Sequence, residues 1–229
     1  MTSQLAMGTS IAVPNSSFEM AALPLSAGNG PFSNLIAGST LYSTAGTCAD
    51  WTASSTTNNA AAGCFAPSAG GNNWSSTWWT GNNIAYLQFE AAGTVSLSQT
   101  LSATLQDDTT YSLSALIGRR EFTPNFDYAI QLWAGGTLLD SVSDLTLAKN
   151  SFGSDSLTYF SGASNPLAGQ QIEIVLSSTS LNNAVTEAFF DDITLSATTR
   201  PEPATWGYAG VGIIVLTLLK RKLKPVQNR

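Results

Sequence analysis

From Asn83 to Leu195 apolar residues recur at every second position, with Gly, Asn, Asp or Ser between the runs. Ile84-Ala85-Tyr86-Leu87-Gln88-Phe89 is one such run. Val95, Leu97 and Leu101 alternate with Ser and Thr, and Tyr111, Leu113, Ala115 and Ile117 share one face of the next. Tyr128, Ile130 and Leu132 lead into Gly135-Gly136, after which Thr137 to Val142 returns. Leu157 and Tyr159, then Ile172, Ile174 and Leu176, then Phe189 to Leu195, complete the set. Short period-2 strands with turn residues between them predict an all-β fold, an antiparallel sandwich or barrel. No helical stripe is sustained before residue 200. Residues 20–82 are different: Gly, Ser, Thr, Asn and Ala dominate and periodicity is weak. So long an irregular stretch in a compact domain is functional or locally tied down.

The pattern changes again at the C-terminal end. Ala204 to Leu219 (ATWGYAGVGIIVLTLL) is uncharged. It is slightly shorter than the roughly 17–25 residues that span a bilayer. Trp206 and Tyr208 suit an interfacial aromatic belt, and Lys220, Arg221, Lys222 and Lys224 suit a cytoplasmic flank. The stretch predicts a transmembrane helix over about 204–219; a buried core helix is the alternative reading. Before it stands Pro201-Glu202-Pro203, where two prolines keep the backbone extended and exposed. Three regions follow: residues 1–10, which lack the charged start and apolar stretch of a secretory signal and read as a remnant or a start placed too late; a β-sandwich ectodomain, 11–197; and a tail, 198–229, with a basic end at 220–229.

Charge sharpens this division. Only 10% of residues are Asp, Glu, Lys or Arg, against about 25% in ordinary soluble proteins. Residues 1–200 carry a net −10 and the tail +4. An acidic domain is a poor nucleic-acid binder, because phosphates need clustered Lys and Arg. Histidine is absent, which removes His-based triads and zinc sites. Cys48 and Cys64 form one disulfide in an exported chain, or remain buried thiols. Closing that loop is worth on the order of 3 kcal/mol in the chain-entropy description.

The order Pro-Glu-Pro, short apolar helix, basic cluster, chain end resembles the PEP-CTERM sorting domain over residues 200–224. That resemblance implies an exosortase-type membrane transpeptidase as partner, processing near Pro201–Pro203, and a cell-envelope or extracellular location with a link to biofilm and exopolysaccharide. Two further motifs frame the domain: Asn15-Ser16-Ser17-Phe18-Glu19 near its start, and Phe189-Phe190-Asp191-Asp192-Ile193-Thr194-Leu195 at its end. Together they resemble the galactose-binding-like jelly rolls, including carbohydrate-binding modules, over residues 11–197. The resemblance implies a jelly-roll sandwich and a structural calcium joining first and last strands, with Glu19, Asp191 and Asp192 as the matching carboxylates. Strict alternation puts Phe189, Asp191, Ile193 and Leu195 on one apolar face, where Asp191 needs either a cation or backbone N–H donors.

Trp74, Trp78 and Trp79, with Asn82 and other amides nearby, offer stacking and hydrogen-bonding groups for a sugar, or else cover the end of the core. Arg119-Arg120-Glu121 is either an acidic-sugar site or a solvated ion-pair cluster, and Asp107-Asp108 is a turn. No catalytic residue emerges. The expected function is therefore a non-catalytic, exported surface or matrix protein whose sandwich binds polysaccharide. A purely structural envelope protein, and then a glycan-active enzyme, are the other readings.

Overall fold

The computed structural model describes residues 8–26, 31–67, 79–122, 125–181 and 184–200. Its strands all fall in one compact unit, Met7–Thr199. In chain order they are β1 (Thr9–Ile11), β2 (Ala21–Ala22), β3 (Leu25–Ser26), β4 (Pro31–Phe32), β5 (Thr47–Cys48), β6 (Thr52–Ser55), β7 (Ala60–Phe65), β8 (Ile84–Phe89), β9 (Gly93–Thr104), β10 (Thr109–Arg119), β11 (Ala129–Ala134), β12 (Thr137–Val142), β13 (Ser151–Phe160), β14 (Gln171–Ser180) and β15 (Thr186–Thr199).

A large sheet runs β13-β10-β15-β8-β7-β4-β3, with β1 also paired to β15. A smaller sheet runs β12-β11-β14-β9-β6, and β2 pairs β5. Every strand pairing is antiparallel, for example Tyr111↔Tyr159 and Leu176↔Leu97. One apolar core gathers the inward residues of both sheets, among them Leu87, Phe89, Leu97, Leu113, Ile117, Ile130, Leu132, Ile174, Leu176 and Phe190. Alternation thus builds a sandwich, as the period-2 pattern requires. Among the described residues there is no helix, and none is long and apolar enough to cross a membrane. The expected membrane helix, Pro201–Pro203 and the basic flank Lys220, Arg221, Lys222 and Lys224 lie outside the described residues.

Two features depart from the sequence reading. The stretch 20–82 contains five short strands and β7, whose six residues (AAAGCF) are all buried. Alanine and glycine carry too little hydrophobic contrast to show as a periodic strand, yet they fit where both faces of a sheet are covered. The other departure is in β15. Ser114 pairs with Thr194 but Leu116 pairs with Asp191, so β15 holds one residue more than its partner. The extra residue forms a β-bulge at Asp192, which sits at φ 48°. Parity reverses there. Ile193 and Leu195 face the core with Ala188 and Phe190, whereas Phe189 belongs to a second apolar cluster on the outer face. Phe189 and Leu195 therefore do not share a face.

Candidate active site

Register across the large sheet assembles the outer cluster. Gly63 on β7 lies opposite Tyr86 on β8, Tyr86 opposite Phe189 on β15, Phe189 opposite Gly118 on β10, and Gly118 opposite Phe152 on β13. The neighbouring row is Ala61, Gln88 and Glu187, and on the other side Phe32, Phe65 and Ile84. One side of the sheet is thus paved with rings. Phe32 stands 6.1 Å from Tyr86 and Phe65 6.2 Å from Phe189, centroid to centroid. Glycine is needed at two places in the central row. A Cβ on Gly63 would meet the Ser33 carbonyl oxygen at 2.5 Å, and one on Gly118 would meet the Phe152 ring at 2.5 Å.

The rings line a half-open pocket together with polar groups: Phe32, Tyr42, Phe65, Tyr86, Gln88, Arg120, Glu187 and Phe189 face it. Aromatic walls with a few convergent polar groups are the usual lining of a small-molecule site. Tyr42 is delivered by the loop after β4. Buried Asn34 donates through Nδ2 to the Tyr42 carbonyl at 2.9 Å, and the Ser39 hydroxyl caps the Leu41 and Tyr42 N–H groups. Tyr42 stacks edge-on against Phe32 at 4.8 Å and its hydroxyl reaches Gln88 Oε1 at 3.5 Å. Burial raises the Tyr42 pKa, against a weaker opposing effect of the Gln88 contact. Tyr86 is raised much further, again by burial, and its hydroxyl donates to the Ser33 carbonyl at 2.7 Å. Both phenols are neutral at physiological pH, and the Tyr86 proton already has an acceptor.

Arg120 and Glu187 form the charged part of the wall. Arg120 Nη2 donates to Glu187 Oε1 at 2.6 Å, with side chains 17% and 2% exposed. The guanidinium also stands 5.7 Å from the Phe189 ring centroid. Asn125 fixes the entry of β15 by donating to the Val185 carbonyl and accepting the Glu187 N–H on its own carbonyl. Arg120 therefore belongs to a buried pair across 67 residues of chain rather than to a solvated Arg119-Arg120-Glu121 cluster. Sequence offered one signal for the site: an acidic residue, Glu187, directly before the apolar run Ala188-Phe189-Phe190 needs a partner when buried.

The carboxylates singled out from the sequence meet elsewhere, around the segment entering β8. Glu19 Oε1 accepts the Asn82 and Asn83 N–H groups at 2.8 and 2.9 Å. Asp191 accepts the Thr80 N–H on Oδ2 and the Asp192 N–H on Oδ1, both at 2.8 Å, and Asp192 Oδ2 accepts the Thr80 hydroxyl at 2.6 Å. Asp191 is fully buried, and burial pushes its carboxyl up to about 7 against the pull of those two N–H donors; the neighbouring Asp192 and Glu19 carboxylates add to the rise. The donor set is all oxygen, as a hard cation requires. The fit is incomplete, because the oxygens already hold N–H and O–H donors. No three ligating side chains among the described residues converge closely enough to hold a metal.

Of the tryptophan group, Trp74 and Trp78 lie outside the described residues. Trp79 is half-buried against the outer cluster, 6.0 Å from Phe152, and Asn82 is exposed. Cys48 on β5 and Cys64 on β7 are joined as a disulfide, with Cα atoms 5.5 Å apart.

Comparison with known proteins places this geometry. The HpiC1-like family profile, described as HpiC1 cyclase, matches residues 9–196. Crystal structures of cyclases from Fischerella share the fold. One, a Stig cyclase from Fischerella sp. TAU in complex with (3Z)-3-(1-methyl-2-pyrrolidinylidene)-3H-indole, superposes at TM-score 0.69 with 21% identity, over 85% of this chain and 100% of that one. Another, from the same source with 4-(1H-indol-3-yl)butan-2-one bound, superposes at 0.65 with 20% identity, over 84% of this chain and 100% of that one. No curated protein matches the chain. The family match overturns the expectation of an exosortase-sorted, non-catalytic surface protein of the biofilm matrix, since the matched family is one of enzymes. The two framing motifs describe how a jelly-roll-like sandwich opens and closes. A glycan-binding module and a cyclase can share such a frame, so the motifs did not separate them.

Proposed function

The chain belongs to the HpiC1-like cyclase family, and from that premise we propose that it closes a ring within a flat, apolar, indole-type substrate held in the aromatic pocket of the large sheet. The observation that carries this reading is a pocket walled by Phe32, Tyr42, Phe65, Tyr86 and Phe189 with one buried ion pair, Arg120–Glu187, in its lining. Ring closure within one molecule conserves atoms: a proton enters at one carbon, π electrons form the new carbon–carbon bond, and a proton leaves. Glu187, held as a carboxylate by Arg120, is the base of the lining and takes the proton that leaves, while the entering proton comes from solvent. The surrounding rings exclude water and favour positive charge developing on the substrate.

A binding and turnover experiment tests this. Calorimetric titration with 4-(1H-indol-3-yl)butan-2-one should show saturable binding, weakened at least about tenfold in Phe65→Ala, which loses an apolar wall. Incubation with 3-substituted indoles carrying an alkene should give products of unchanged mass, and Glu187→Gln should abolish them while retaining binding. Absence of binding, or binding indifferent to Phe65, would overturn the assignment.

Two further readings accompany it. Calcium would be a structural ion near Glu19, Asp191 and Asp192, which bind neighbouring residues of the segment 80–83 but do not converge on one point, and it would have to displace the N–H and O–H donors those oxygens hold. The disulfide supports folding in an oxidising compartment.

A further inference from the structure

Resting on that pocket assignment, we propose that Arg120 is its specificity residue, selecting aromatic molecules that carry an uncharged oxygen acceptor such as a ketone or amide carbonyl. A guanidinium has five N–H donors in a fixed fork. Among the described residues Arg120 spends one nitrogen, Nη2, on Glu187. Its Nε is buried without a partner. Its side chain lines the pocket and is 17% exposed.

The donors at the exposed end of Arg120 that Glu187 does not take gain from a ligand acceptor placed against them. The charge of the ligand is also constrained. Glu187 already balances Arg120, so a carboxylate would leave a second anion in an apolar pocket and an ammonium a second cation, each with its desolvation penalty. A neutral carbonyl oxygen gains the donors without either penalty. The aromatic walls then fix the ring, and Arg120 fixes which end of the molecule points toward Glu187.

Three ligands of matched skeleton test this on the full chain by calorimetry: 4-(1H-indol-3-yl)butan-2-one, 3-butylindole, which lacks the oxygen, and 3-(1H-indol-3-yl)propanoate, which replaces the ketone by an anion. The ketone should bind at least about tenfold more tightly than either of the others. In the double variant Arg120→Met/Glu187→Met, which replaces the pair by apolar side chains and leaves no charge unpaired, ketone and 3-butylindole should bind alike. Equal affinities in the natural protein, tighter binding of the carboxylate, or a preference that survives the double variant would each overturn the role of Arg120 while leaving the aromatic pocket standing. If none of the three binds, the pocket assignment itself fails and this inference with it.

Discussion

Two carboxylates are buried on β15, and their company differs. Glu187 has a guanidinium at 2.6 Å. Asp191 has only N–H donors and two neighbouring acids, and its carboxyl sits near 7 instead of 3.8 because burial penalises the charge. A folded-state pKa raised above the unfolded value means that the folded chain binds the extra proton. The contribution is complete below about pH 4 and is lost as pH rises toward 7. At about 1.4 kcal/mol per unit, the loss has a ceiling of roughly 4 kcal/mol. In chelator, the thermal midpoint should therefore fall between pH 4 and 7 by more than Asp191→Asn shows over the same range; parallel curves would remove Asp191 as the cause. At this scale the sequence was legible for Asp191, whose doubled acid in an apolar strand draws notice. Glu187 and Arg120 were not, because their pairing depends on a register between strands far apart in the chain.

Strands convert these residues into a site. The outer aromatic row exists because β7, β8, β15, β10 and β13 stand in one register, and because the bulge at Asp192 reverses the facing of β15. Without that extra residue, a strand that buries Ile193 and Leu195 inward would also turn Phe189 inward. Alternation in β8 to β15 was readable as strands, but an inserted residue leaves no mark in composition, so the two-faced character of β15 was hidden. β7 was hidden for a different reason, its residues being small. Its glycine is testable. Gly63→Ala places a Cβ 2.5 Å from the Ser33 carbonyl oxygen and 2.7 Å from its hydroxyl. Overpacking against backbone should cost about 1–3 kcal/mol, read as a lowered urea midpoint. It should also displace the Ser33 carbonyl that accepts the Tyr86 hydroxyl and so weaken indole binding. An unchanged midpoint with unchanged binding would show that β4 gives way freely.

At the scale of the whole molecule, the opening and closing segments are tied through a third. Glu19, just before β2, and Asp191 and Asp192, on the last strand, all grip residues 80–83. The disulfide between β5 and β7 adds a second clasp in the same half of the chain, worth on the order of 3 kcal/mol by loop entropy. The two clasps explain how a stretch of weak periodicity can hold the walls of a pocket, since β4, Tyr42 and β7 all come from it. They also define what calcium would do. As folded, the carboxylates are satisfied by hydrogen donors, so the fold does not require an ion; one that binds only the folded chain adds RT ln(1 + [L]/Kd), about 2.7 kcal/mol at ~100-fold excess over Kd. Such an ion favours the charged form of Asp191, so it should raise the melting midpoint most near pH 7 and little near pH 4, flattening the decline seen in chelator. Asp191→Ala should abolish that response. A midpoint that ignores both calcium and chelator at pH 7 would mean that the hydrogen bonds to residues 80–83, with the β1–β15 pairing, hold the two ends of the domain without an ion.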